Sequence, residues 1–161
     1  MLLNRVRNSG FEEGTLLFWE TVNGSITSNY THTGFFSVQL SGDSGSLLSQ
    51  RVPVSEGESF ELILSLAKLS TLASPQVTVI VQYFNSNGTL LQNALEVNIQ
   101  TEGVPEVTAS TWLTVYETTS VAPIGAALAS INISVGASIG TSEIVIDDIA
   151  FITPEFTFSP S

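Results

Sequence analysis

Residues 128–135 read Leu-Ala-Ser-Ile-Asn-Ile-Ser-Val. In an extended chain Ala129, Ile131, Ile133 and Val135 share one face, and Ser130, Asn132 and Ser134 share the other. Such alternation predicts a strand with one face in a core and one in water. Residues 77–84 repeat the pattern, with Val77, Val79, Val81 and Tyr83 set against Thr78, Ile80, Gln82 and Phe84. Asn85-Ser86-Asn87-Gly88 follows, and Asn-Gly accepts the positive φ of a hairpin turn. Further strands are predicted near 16–22, 25–31, 34–40, 46–54, 58–69, 90–99, 108–118 and 143–152. Turn residues separate them, and no window of ten residues carries a helical period. Strands at this spacing predict an all-β chain of two antiparallel sheets packed face to face.

The 161 residues suit one domain, placed at 1–152, with 153–161 as a tail or linker. Lys and Arg total 4 against 15 Asp and Glu, a net charge of −11. That balance argues against nucleic acid, which is gripped by basic faces, and against anionic lipid. Ser and Thr number 39, and the richness in Thr and Val favours strands over helices. Without cysteine there is no disulfide scaffold, zinc knuckle or thiol nucleophile. No apolar run approaches a membrane span, and Met1 to Arg5 lacks the apolar core of a signal peptide.

Little in the sequence points to catalysis. The single histidine, His32, lies in the turn Tyr30-Thr31-His32-Thr33-Gly34, away from anything like a nucleophile elbow. It reads as an exposed or hydrogen-bonding turn residue. Trp19 and Trp112 read as core residues, since large aromatics dominate cores. Four Asn-X-Ser/Thr sequons carry no weight in a chain this rich in those residues. More informative is Ile144-Val145-Ile146-Asp147-Asp148-Ile149, with adjacent acids inside an apolar strand. Strict alternation turns one of the two toward the core, where a carboxylate needs a cation or hydrogen-bond donors. Two readings stay open: calcium, which takes oxygen ligands, or Asp147 held by backbone N–H groups with Asp148 in water.

Asn8-Ser9-Gly10-Phe11-Glu12, Trp19, His32 to Val38 and the closing Ile-Asp-Asp strand together resemble the jelly-roll carbohydrate-binding modules of the xylan- and glucan-binding type. The middle is similar to something narrower. Phe60-Glu61, Ser65 to Lys68, Ser74-Pro75 and Thr111 to Tyr116 resemble the domain N-terminal to collagen-like Gly-X-Y repeats in surface and spore-coat proteins of spore-forming bacteria. The resemblance implies a jelly-roll β-sandwich without catalytic activity, at a cell or spore surface, that binds glycan or another surface ligand. The alternative it implies is a structural head that trimerises or anchors a collagen-like fibre. It also implies a structural calcium joining the chain ends, held by backbone at Gly10, Tyr30 and Thr33 and by the side chains of Glu12 and Asp147. By the family's register an aromatic sugar platform would fall at Leu66, with Lys68 beside it. Gln82, Phe84, Asn98 and Asn132 supply the remaining candidate sugar contacts. The row Phe60, Leu62, Leu64, Leu66 is core by periodicity but lines the concave face by family register. An apolar concave face would imply self-association, and a collagen stalk would imply a homotrimer.

Overall fold

The computed structural model describes residues 3–109 and 111–154. Ten strands form two sheets of five. They are β1 (Glu20–Val22), β2 (Gly24–Thr27), β3 (Ser37–Leu40), β4 (Ser46–Pro53), β5 (Glu61–Lys68), β6 (Val77–Asn85), β7 (Leu90–Ile99), β8 (Leu113–Thr118), β9 (Ala126–Val135) and β10 (Ile144–Ile152). One sheet runs β1-β4-β9-β6-β7 and the other β2-β3-β10-β5-β8, with every pairing antiparallel. The two predicted strands at 77–84 and 128–135 are β6 and β9, neighbours in the first sheet with Val79 opposite Ile133. Asn85 closes the β6–β7 hairpin, its Oδ1 accepting from the N–H of Asn87 at 3.0 Å and of Thr89 at 2.9 Å.

The core lies between the sheets. Val77, Val79, Val81 and Tyr83 meet Leu62, Leu64, Leu66, Ile146 and Phe151 there, and Phe60 stacks on Phe151 with centroids 4.2 Å apart. Burying each of these aliphatic side chains contributes about 2 kcal/mol. The buried Tyr83 hydroxyl donates to the Ser120 carbonyl at 2.7 Å and also meets Thr119 Oγ1. The row through Leu66 is therefore core, as its period requires, and Leu66 is 0 % exposed. The expectation that Leu66 stands on a concave surface is corrected: the opposing sheet covers it, and the ground it gave for self-association goes with it. Trp19 is buried against Phe11, and its Nε1–H donates to the Asn8 carbonyl at 3.0 Å.

Four predicted strands, those at 16–22, 25–31, 34–40 and 108–118, are shorter than expected. Strand formation stops at Thr27 and resumes at Ser37, because residues 29–36 fold around carboxylates from elsewhere in the chain. Residues 16–19 turn instead of extending: Trp19 N–H bonds Leu16 O at 2.8 Å, and Phe18 takes φ 73°. Residues 101–109 form two short 3-10 turns before β8, pinned where the Lys68 N–H donates to the Pro105 carbonyl at 2.8 Å. The ends of the domain lie together. Asn4 reads β10 with both ends of its amide, accepting from Phe151 N–H at 2.9 Å and donating to the Ile149 carbonyl at 3.0 Å. Most of the tail expected at 153–161 falls outside the described residues.

Candidate functional site

The acidic pair in β10 does not obey strict alternation. Asp147 lies opposite Ser65 and Ala150 opposite Ile63, so β10 spends one more residue than β5 across this stretch. This is a β-bulge, and Asp148 within it takes φ 52°. The extra residue lets Ile146, Ile149 and Phe151 all enter the core, so neither aspartate has to. The expectation that one of them points inward is corrected on that ground.

Both carboxylates reach the loop between β2 and β3 instead. Asp147, 0 % exposed, accepts from the N–H groups of His32 at 2.9 Å, Thr33 at 3.2 Å and Asp148 at 2.8 Å. Burial pushes its acid strength down, to a pKa of about 6; the Thr33 N–H opposes this, the Asp148 charge adds to it, and the Asp148 and His32 N–H groups oppose it. Asp148 is partly exposed. It accepts from Thr33 Oγ1 at 2.8 Å and faces His32 Nδ1 at 2.7 Å. Glu12 reaches the same loop and accepts from Phe35 N–H at 3.0 Å and Phe36 N–H at 3.3 Å. Gly34, at φ 69°, makes that approach feasible: a Cβ there would sit 2.2 Å from Glu12 Oε1.

Of the residues that the resemblance assigned to calcium, Glu12, Thr33 and Asp147 belong to this cluster and Gly10 lies beside it. Gly10 is where they meet. A Cβ on it would lie 3.6 Å from Glu12 Cγ, 3.9 Å from Asp147 Oδ1 and 3.4 Å from Asp148 Oδ1. The Tyr30 carbonyl is nearby in sequence but accepts from the Ser37 hydroxyl. Among the described residues no three His, Asp or Glu side chains are grouped to hold a metal by themselves, so carbonyls would have to complete any shell. An all-oxygen donor set of two carboxylates and several carbonyls suits calcium chemically.

Beside this cluster lies a groove of ≈ 560 Å³ lined by Asn29, Tyr30, Thr31, His32, Val107 and Trp112. Ala67, Val107 and Val145 form a small apolar cluster on the outer side of the second sheet, and Tyr30, Leu69 and Trp112 pack on it. Trp112 is thus half-buried and faces the groove, which corrects its assignment to the core. The sequence placed it inside a strand at 108–118, whereas β8 begins at Leu113, and gave no sign that the 101–109 turns would cover only part of it. The His32 ring meets Trp112 edge-on, with centroids 5.4 Å apart. No hydroxyl bonds His32 Nε2 among the described residues.

The predicted sugar contacts separate into different places. Gln82, Phe84, Asn98 and Asn132 do share the outer face of the first sheet, on β6, β7 and β9. Their amides are engaged with neighbours: Gln82 with Asn93 at 3.0 Å, Asn98 with Thr78 at 3.0 Å, and Asn132 with Ser49 at 2.9 Å. Lys68 is on the other sheet and donates to the Leu72 carbonyl at 2.9 Å, while Leu66 is inside. One ligand cannot touch all six.

No protein-family model and no curated protein matches the sequence. Solved structures match its fold. A bacteriophage CBA120 tailspike protein 4 enzymatically active domain superposes with TM-score 0.76 at 16% identity; the match covers 94% of this chain and 21% of that one. This chain therefore spans about a fifth of the tailspike chain. A family 16 carbohydrate-binding module gives TM-score 0.70 at 17% identity, covering 92% of this chain and 99% of that one. The CBM22-1 xylan-binding domain of Paenibacillus barcinonensis Xyn10C gives 0.65 at 18%, covering 90% and 91%. At these identities the shared property is the fold, a β-sandwich of the jelly-roll class that recurs in carbohydrate-binding modules and in parts of larger enzyme chains.

Proposed function

We propose that this domain is a non-catalytic glycan-binding module and that its binding surface is the groove between Tyr30, His32 and Trp112. The observation that carries this reading is the groove itself: an indole and a phenol ring rimmed by Asn29, Thr31 and His32. Sugars need that combination, an aromatic face for the ring C–H groups and polar groups for the hydroxyls. The outer face of the first sheet suits sugars less well, because its amides already bond neighbouring side chains. Isothermal titration against xylo-, cello- and β-1,4-galacto-oligosaccharides tests the reading. Binding that Trp112→Ala abolishes and Gln82→Ala leaves intact supports it; the reverse pattern overturns it.

The proposal extends to the chain ends and the setting. Calcium at Glu12, Asp147 and the carbonyls of Gly10, Tyr30 and Thr33 would supply positive charge to a cluster of carboxylates and tie the first segment to the last strand. The likeness of residues 60–68, 74–75 and 111–116 to domains preceding collagen-like repeats supports a place at a bacterial cell or spore surface. On that reading the stalk, and not an apolar face of this domain, brings three copies together. Light scattering on the isolated domain separates this from a head that trimerises by itself.

A further inference from the structure

Residues 113–118 read Leu-Thr-Val-Tyr-Glu-Thr and form β8, which ends the second sheet. Its register with β5 runs unbroken from Leu66 opposite Leu113 to Glu61 opposite Thr118. Just past this ladder the Thr119 N–H donates to the Phe60 carbonyl at 2.8 Å. In an antiparallel pair such bonding recurs at every second residue. Leu113, Val115 and Glu117 therefore turn their backbone groups toward β5. Thr114, Tyr116 and Thr118 turn theirs outward along the open edge.

An open edge is a template for another strand, and folded proteins blunt it with short strands, bulges, Lys or Pro. Among the described residues the sheets end on four strands. β1 has three residues and β2 four, and the register of β7 shifts at two points. β8 has six residues, no Lys, no Pro and no shift. Beyond Leu113 the 101–109 turns take the place beside Lys68 and close the edge. Along the rest runs a groove of ≈ 400 Å³, lined by Leu113 to Glu117 on one side and by Val97 and Ile99 of β7 on the other.

We propose that this edge receives an extended segment of another protein, laid antiparallel to β8, with apolar residues at alternate positions and a Lys or Arg facing Glu117. The core-facing row of β8 is Leu113, Val115 and Glu117, two apolar positions and one acid. An added strand meets that row with every second side chain, and its backbone pairs with Thr114, Tyr116 and Thr118. Charge selects the occupant. Among the described residues no Lys or Arg lines the groove, and Glu102 lies in the turn at its end. A second copy of this chain, at a net charge of −11, would bring another Glu117 onto the same short ladder, where like charges repel. A basic segment turns the same acid into an attraction. No glycan is needed for this docking, so the glycan reading stands or falls separately.

Amide exchange on the intact chain reads the edge directly. Without a partner, the N–H groups of Thr114, Tyr116 and Thr118 should exchange faster than those of Val115 and Glu117. The probe is the capped peptide Thr-Arg-Thr-Val-Thr-Val-Thr, whose Arg falls opposite Glu117 when its Val residues face Val115 and Leu113. At saturation it should slow the three outward amides roughly tenfold. The same peptide with Glu in place of Arg should bind roughly fivefold more weakly, and Glu117→Lys should reverse that order. No protection by the Arg peptide at millimolar concentration overturns the proposal. So does equal affinity for the two peptides. Slow exchange at the three amides without peptide overturns it too, and a doubled mass by light scattering would then make a second copy the occupant.

Discussion

The buried carboxylate of Asp147 bonds the backbone N–H of His32, a residue 115 positions earlier in the chain, at 2.9 Å. That bond, with those to Thr33 and Asp148, gives a loop without regular structure a fixed shape. Asp147→Ala would leave buried N–H groups unpaired and should cost about 2–4 kcal/mol. Asp147→Asn keeps an acceptor oxygen and should cost about half as much. Denaturant unfolding compares them. Equal losses in the two variants would mean that the charge, and not the acceptor, is what the fold needs.

The pH dependence of that carboxylate has a definite sign. Burial, first among its causes, raises the folded pKa from 3.8 to about 6. A folded pKa above the unfolded one means that the folded protein binds the proton more tightly. The contribution of this group to stability is therefore full below about pH 4 and is lost as pH rises through 6. In chelator, the stability difference between wild type and Asp147→Asn should shift in favour of the wild type as pH falls from about 6.5 to 4.5. A difference that does not vary with pH over that range contradicts the shift.

Calcium, if held at the chain ends, stabilises by mass action. At about a hundredfold excess over its dissociation constant it adds about 2.7 kcal/mol. For a domain of this size the melting temperature should rise by about 5–10 °C. Asp147→Ala should remove the rise. Identical melting in calcium and in chelator rejects the site.

Gly34→Ala should cost about 2–3 kcal/mol, since its Cβ would sit 2.2 Å from Glu12 Oε1 and its φ of 69° disfavours a side chain. Combining it with Glu12→Ala removes the collision. The double variant should then lose less than the sum of the two single losses, which a double-mutant cycle measures.

Leu66→Ala should cost about 2–5 kcal/mol by opening a cavity between the sheets. The mass measured by light scattering should not change. A shift in mass without loss of stability would return Leu66 to an exterior face.

The strands were legible where each buried one face only. The alternations at 77–84 and 128–135 each record a core side and a water side, and both became strands of the first sheet. Leu66 shows period overruling likeness: its alternation with Leu62 and Leu64 placed it correctly, and the family register did not. The loop at 29–36 was not legible, because its shape is set by Glu12, Asp147 and Asp148, and no local pattern encodes partners so far away. Trp112 was misplaced for a related reason. Its half-exposure depends on how far the 101–109 turns extend over Val145 and Ala67.

The bulge in β10 makes the length of this stretch matter as much as its chemistry. Removing Asp148 would leave Asp147 opposite Ser65, Ile149 opposite Leu64 and Ala150 opposite Ile63, so the strand would alternate without a break and keep its core side. What would go is the side chain that reaches His32 and Thr33. A one-codon deletion there would thus spare the sandwich and unfasten only the loop beside it.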